Sequence, residues 1–339
     1  MADRRRNNGP PSGTRPPVYA SLLRNAAGEK AERPRRARKP TELRKIFLKT
    51  GLIPSASGSS YLEIEPARRP TNTRESLIAP ATSLKIACAV HGPRPLPRSA
   101  NYSPNLLLTT HVKYAPFAHR RRKGHIRDAS ERDLGVHLET AIRGAIIAER
   151  WPKSALDVTI TVLEAEDDRW WGDASGSSDA SWGMMNVLAG CITAAAAAIA
   201  DARIDCLDLV AGGVAALVTE DEDETDSTNS GSRPPRLLLD PDPAEHQNIV
   251  AACVVGYLPS RDEITEIWLK GDTSEVASTT PGSKKVPGHE VLLDGAIDAA
   301  RAARSVLAAA VRESGERFIA QSAGVPETTK AGTDVAMKT

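Results

Sequence analysis

The stretch 184–202 constrains the fold most. It contains five consecutive alanines, Ala194 to Ala198, and no charged residue before Asp201. Alanine gives it strong helix propensity, and side chains this small let a helix lie close against a sheet. The rest of the chain needs such packing: only 4% of its residues are aromatic, so alanine and the aliphatics must fill the interior. With 339 residues, 40% of them apolar, the chain has enough material for one large or two small domains.

Strand patterns surround that helix. The segment 45–49 is short and apolar, 51–58 supplies turn residues, and 59–65 alternates with period two. Segments 83–90 and 105–115 follow, and together these read as an antiparallel meander. A helix is expected from Ser130, with Ser130-Glu131-Arg132-Asp133 resembling a capping box and apolar residues at Leu134, Leu138, Ala141, Ile142 and Ala145. It should run to Trp151 and stop at Pro152. A strand at 156–163 precedes the alanine helix. Strands at 207–218, 236–240, 249–257 and 264–269 then lead to a last helix over about 290–320. The order implies one α/β domain of two strand-helix-strand-helix units, with mixed sheets packed by helices.

Charge divides the chain further. Residues 1–40 carry eleven Lys and Arg against three acids, a net of +8 that leaves −7 on the remainder of a chain totalling +1. Proline and glycine are frequent there, so 1–40 reads as a disordered basic arm. Its arginines could bind RNA, direct nuclear import or keep the chain soluble. A folded body is expected over 41–323, with an acidic loop insertion at 219–234 and a flexible tail at 324–339. The insertion holds six acids between Glu220 and Asp226. Cys88, Cys191, Cys206 and Cys253 form no C-x-x-C pair, which argues for free thiols and against a zinc site or disulfide framework. A reducing, intracellular setting is the expectation. No signal region or run of about 18 apolar residues stands out, so no membrane association is expected.

Several words in this frame resemble the RNase PH-like subunits of the RNA exosome. They are Gly58-Ser59-Ser60-Tyr61-Leu62-Glu63, Ala89-Val90-His91-Gly92-Pro93-Arg94, Pro116-Phe117-Ala118-His119-Arg120-Arg121-Arg122, Leu163-Glu164, Ala200-Asp201-Ala202, Leu207-Asp208-Leu209-Val210-Ala211-Gly212-Gly213 and Leu239-Asp240-Pro241. Their order over the body, without the arm, is similar to the non-catalytic ring subunit of the eukaryotic exosome core, the mRNA transport regulator type. The resemblance implies the RNase PH fold (ribosomal protein S5 domain 2-like) and a place in a six-membered ring of RNase PH-like subunits. It also implies S1- or KH-type cap subunits above the ring and single-stranded RNA passing through it. Nuclear, nucleolar and cytoplasmic locations go with that role, as do rRNA maturation and mRNA turnover.

The resemblance also frames the question of catalysis. Active relatives carry Gly-Ser-Arg or Gly-Thr-Arg before the alanine helix, where backbone amides and an arginine bind inorganic phosphate. Here the chain reads Met184-Met185-Asn186-Val187, with neither glycine nor arginine. Active relatives also place two aspartates about six residues apart. Asp240 remains, but His246 stands at the second position, and an imidazole cannot replace a carboxylate beside Mg²⁺. Asn186, Asp240 and His246 therefore mark a vestigial site with no metal, no cofactor and no catalytic residue. Asp240 reads as a turn residue before Pro241; an unfamiliar site of Asp242, Glu245 and His246 is the alternative. Gly212-Gly213 lacks the continuation of a phosphate loop and reads as close strand packing. The remaining chemistry is RNA contact by Arg94, Arg120, Arg121, Arg122, Lys123 and Arg127, cations that grip phosphates without reading sequence. An active phosphate-dependent 3′ exoribonuclease is the competing expectation. Trp170 and Trp171 read as loop anchors or interface residues.

Overall fold

The structure is a computed structural model that describes residues 34, 36–66, 83–97, 99, 101–119, 122, 124, 126, 128–167, 182–219, 235–246, 248–273 and 287–322. Strands β1 (Ile46–Thr50), β2 (Gly58–Ile64), β3 (Leu84–Pro95) and β4 (Leu107–Tyr114) are followed by α1 (Ala129–Arg143), β5 (Ser154–Glu164) and α2 (Trp182–Asp201). Then come β6 (Ala211–Val218), β7 (Arg236–Leu239), β8 (Ile249–Leu258), β9 (Glu263–Gly271) and the long α3 (Gly288–Ser322). The first sheet has the order β1-β2-β3-β5-β4 and the second β7-β6-β8-β9.

The α/β class stands, and the expected meander is corrected. β1, β2 and β3 pair antiparallel in sequence order, but β5 takes the place beside β3, and β4 lies outside it, parallel to β5. A helix joins β4 to β5, which is the kind of connection a parallel pair requires, and the link 96–106 lets the chain step past one strand. The second half is likewise not a repeat of strand-helix-strand-helix: its four strands are antiparallel throughout and are followed by one helix among the described residues.

α1 begins one residue earlier than expected and ends sooner. Asp128 is its N-cap, and Glu131 returns a bond to the Asp128 N–H at 3.0 Å, so the capping box is Asp128 with Glu131. Glu131 is nearly buried because it also accepts from the Tyr114 N–H and from Lys113, each at 2.9 Å. Burial pushes its carboxyl up, but these donors outweigh burial and hold it below the usual range. The helix stops at Arg143; residues 148–150 form only a single 3₁₀ turn before Pro152.

α2 lies between the two sheets, packed on β2 and β3 from one side and on β6 and β8 from the other. It is long and apolar enough to cross a membrane, but 89% of its most apolar stretch is buried inside the protein, so it is a core helix. The glycines explain how close it sits. A Cβ on Gly212 would come within 2.3 Å of the Ala189 carbonyl of α2, and one on Gly213 within 2.1 Å of the Ala296 carbonyl of α3. β6 is thus clamped between two helices, which confirms the packing reading of this pair. Cys88, Cys191 and Cys253 are buried free thiols, and Cys206 is half-buried.

Candidate functional site

Four segments meet where β1 begins and β5 and β7 end. Arg44 precedes β1, Glu166 follows β5, Asn186 sits one turn into α2, and Asp240, Asp242 and Glu245 follow β7. Arg44 is the hub, with its side chain 2% exposed. Its Nε donates to Asp240 Oδ2 at 2.8 Å and its Nη2 to Oδ1 at 2.6 Å, a two-pronged fork, and its backbone N–H donates to Oδ2 at 2.9 Å. Nη1 donates to Glu166 Oε1 and lies 3.5 Å from Asp242 Oδ2. Arg38 covers the outer side, reaching Asp240 at 3.2 Å and Glu245 at 2.9 Å. Asn186 closes the inner side, its Nδ2 donating to Glu166 Oε2 at 2.5 Å and to the Pro241 carbonyl at 2.6 Å. Arg36 donates to the backbone carbonyls of Glu42 at 3.0 Å and Leu239 at 2.9 Å.

The electrostatics follow from burial opposed by arginine. Burial alone would raise Asp240, but Arg44, with Arg38 behind it, holds the carboxyl well below the usual range. Burial wins at Glu166, which is pushed up to about 7 against the pull of Arg44 and with a further push from Asp242. Burial also raises Asp242 and Glu245, against Arg44 and Arg38 respectively. Asp240 adopts φ 49°, a left-handed turn before Pro241, as the turn reading required. That reading was incomplete: Asp240 is also the main partner of Arg44. Its two oxygens are committed to guanidinium groups, and the Asn186 amide is committed to Glu166 and the Pro241 carbonyl. The cluster can bind the protein to itself.

The model for the 3′ exoribonuclease family, domain 1, matches residues 42–205. Exosome complex component MTR3 of Chaetomium thermophilum is 51% identical over 272 residues, covering 80% of this chain and 87% of that protein. The mtr3 component of Schizosaccharomyces pombe is 32% identical over 278 residues, covering 81% and 86%. The chain belongs to the RNase PH family of exosome components. The crystal structure of rice Rrp46, at 16% identity, shares the RNase PH fold with a TM-score of 0.54, covering 81% of this chain and 98% of that one.

The first sheet fixes the position of Arg94 relative to Tyr114. Arg94 pairs in register with Ala155 at the start of β5, whereas Tyr114, which leads into the basic run, pairs with Val162 near its end. Seven residues of strand, roughly 23 Å, lie between them, because β3 and β4 run in opposite directions. Arg94 therefore lies at the other end of the first sheet from Tyr114, and it forms an ion pair with Asp157. Arg122 is exposed; Arg120, Arg121, Lys123 and Arg127 lie outside the described residues, as do Trp170, Trp171 and nearly all of the acidic insertion. His119, which precedes the run, lies against the Tyr114 ring in a tilted arrangement and contacts Asp167, at 3.3 Å, the neighbour of Glu166. His246 borders the cluster, its Nε2 4.0 Å from Glu245.

Sequence reasoning missed Arg36, Arg38, Arg44 and Glu166. Residues 36–40, assigned to the disordered arm, are docked on the body, with the Pro40 carbonyl accepting the Leu239 N–H at 2.9 Å. The signal available was modest: Arg44 is a cation set between Leu43 and Ile46 at the start of an apolar strand.

Proposed function

We propose that this chain is a non-catalytic subunit of the RNA exosome ring that contacts RNA and supports its 3′-to-5′ processing and degradation. The observation that carries the non-catalytic reading is the Arg44 fork on Asp240, with Asn186 hydrogen-bonded inside the cluster. The carboxylate that an active RNase PH site would use is neutralised internally, and no arginine stands at the start of α2 for phosphate. RNA contact is assigned to Arg120, Arg121, Arg122, Lys123 and Arg127, supported by the anchoring of His119 beside the old site. Neighbouring ring subunits, S1- or KH-type caps and nuclear, nucleolar and cytoplasmic locations complete the reading.

The test supplies purified chain, alone and with ring partners, with labelled RNA and inorganic phosphate. The chain alone should release no nucleoside diphosphate. Phosphate-dependent release would make it a 3′ exoribonuclease and overturn the assignment. A native pulldown should recover other RNase PH-like subunits; a stable monomer without them would point to a free-standing RNA-binding protein.

A further inference from the structure

The buried cluster holds more acid than base. Facing one another in it are Arg36, Arg38 and Arg44 from the N-terminal segment, Glu166 after β5, and Asp240, Asp242, Glu245 and His246 after β7, with the Asn186 amide from α2. Three guanidinium groups meet four carboxylates, so one negative charge is in excess while histidine is neutral. Geometry locates it. Asp240 is matched by the Arg44 fork and Glu245 by Arg38, but Glu166 Oε1 and Asp242 Oδ2 both converge on Arg44 Nη1. Asp242 Oδ2 is buried with no hydrogen-bond donor among the described residues. Two carboxylates sharing one nitrogen out of water repel; a proton on either removes that repulsion and the excess buried charge.

We propose that Glu166 and Asp242 hold one proton between them, and that this proton latches residues 36–44 across the ends of the two sheets, so the latch loosens as pH rises through neutrality. Among the described residues the segment is also held by the Arg44 fork on Asp240, the Arg38 pairs with Asp240 and Glu245, the Leu239 N–H to Pro40 bond and the carbonyl contacts of Arg36. A cleft of about 140 Å³ lined by Arg38, Lys45 and Glu245 gives water a route in once the segment lifts. The sign is fixed by linkage. The closed state keeps a carboxyl at about 7, while in the open, solvated state it returns to its ordinary 4.5, so the open state binds fewer protons and gains with rising pH. Between pH 6 and 8 the opening constant should rise about tenfold.

Hydrogen exchange on the full chain at pH 6, 7 and 8, corrected for intrinsic rates, tests this by mass spectrometry. Peptides covering 36–44 and 236–240 should open about tenfold more at pH 8, with α2 peptides unchanged. Asp242→Asn removes the excess buried charge and should keep both regions slow at pH 8; Glu166→Gln is the second variant. Wild-type protection independent of pH, a change shared equally by α2, or an unaltered pH dependence in either folded variant overturns the proposal. The wild-type measurement decides alone if neither variant folds.

Discussion

Replacing Arg44 with methionine would test whether the cluster is the structural bolt between the two sheets. The side chain is 2% exposed and is the shared partner of Asp240, Glu166 and Asp242, so Arg44→Met leaves three buried carboxylates without it. Methionine fills most of the volume, which keeps the loss electrostatic rather than a cavity effect. Breaking a buried pair by removing one member costs about 3–5 kcal/mol, a large share of a total stability of about 5–15 kcal/mol. The cost should depend on pH in a definite direction. In the wild type Asp240 is held below its unfolded value, so its contribution is present above the unfolded pKa and lost as pH falls through the folded one. In the variant burial acts without Arg44, the carboxyls rise, and stability falls as pH climbs through them. The gap between the two proteins should therefore be widest near pH 8 and narrowest near pH 5. Urea unfolding at both pH values measures it. A gap below about 1 kcal/mol at pH 8, or one that widens on acidification, refutes the reasoning.

Other consequences can be measured alongside. Gly213→Ala should cost about 1–3 kcal/mol, because its Cβ would lie 2.1 Å from the Ala296 carbonyl; an unchanged melting temperature would mean α3 can withdraw from β6. Changing Arg120, Arg121, Arg122 and Lys123 together to glutamate should weaken RNA binding by the assembled ring and flatten its salt dependence, whereas Arg94→Ala, at the other end of the first sheet, should leave binding near wild type; unchanged binding by the fourfold variant at low salt would reduce the run to a solvated loop. Among the four cysteines, half-buried Cys206 should react first with a thiol reagent under native conditions, while Cys88, pushed up to about 12 by burial, should react only on unfolding; early loss of the Cys88 thiol contradicts the packing of β3 against α2.

What could be read from residues depended on whether the signal was local. β5 alternates clearly because one face of the first sheet packs on helices and the other is partly open. β6 reads as a continuous apolar run because α2 and α3 cover both its faces, and its two glycines are legible because such close approach excludes a side chain. Strand order was hidden: β3 offers an edge to either β4 or β5, and the choice rests on a helical crossover that no residue of β3 encodes. The site was half legible. Asp240, His246 and Asn186 are visible against the pattern of active relatives, but Arg44 looks like a surface cation, since arginine is seldom fully buried without a partner and its partners lie 122 and 196 residues away.

Buried ion pairs seldom add stability over well-packed hydrophobic replacements, so a structural cluster of charges calls for a reason. Here seven charged residues remain. Their geometry suggests why. Arg44 leads into β1 and Glu166 follows β5, both of the first sheet, while Asp240 and Asp242 follow β7 of the second, so one guanidinium fixes the relative position of both sheet ends in a way that non-directional apolar contacts would not. The same fork sets the start of β1, and through Asp167 and His119 it borders the root of the basic run. Directional charge pairs that are satisfied internally hold the ends of both sheets in one register, which non-directional apolar packing would leave free to slide.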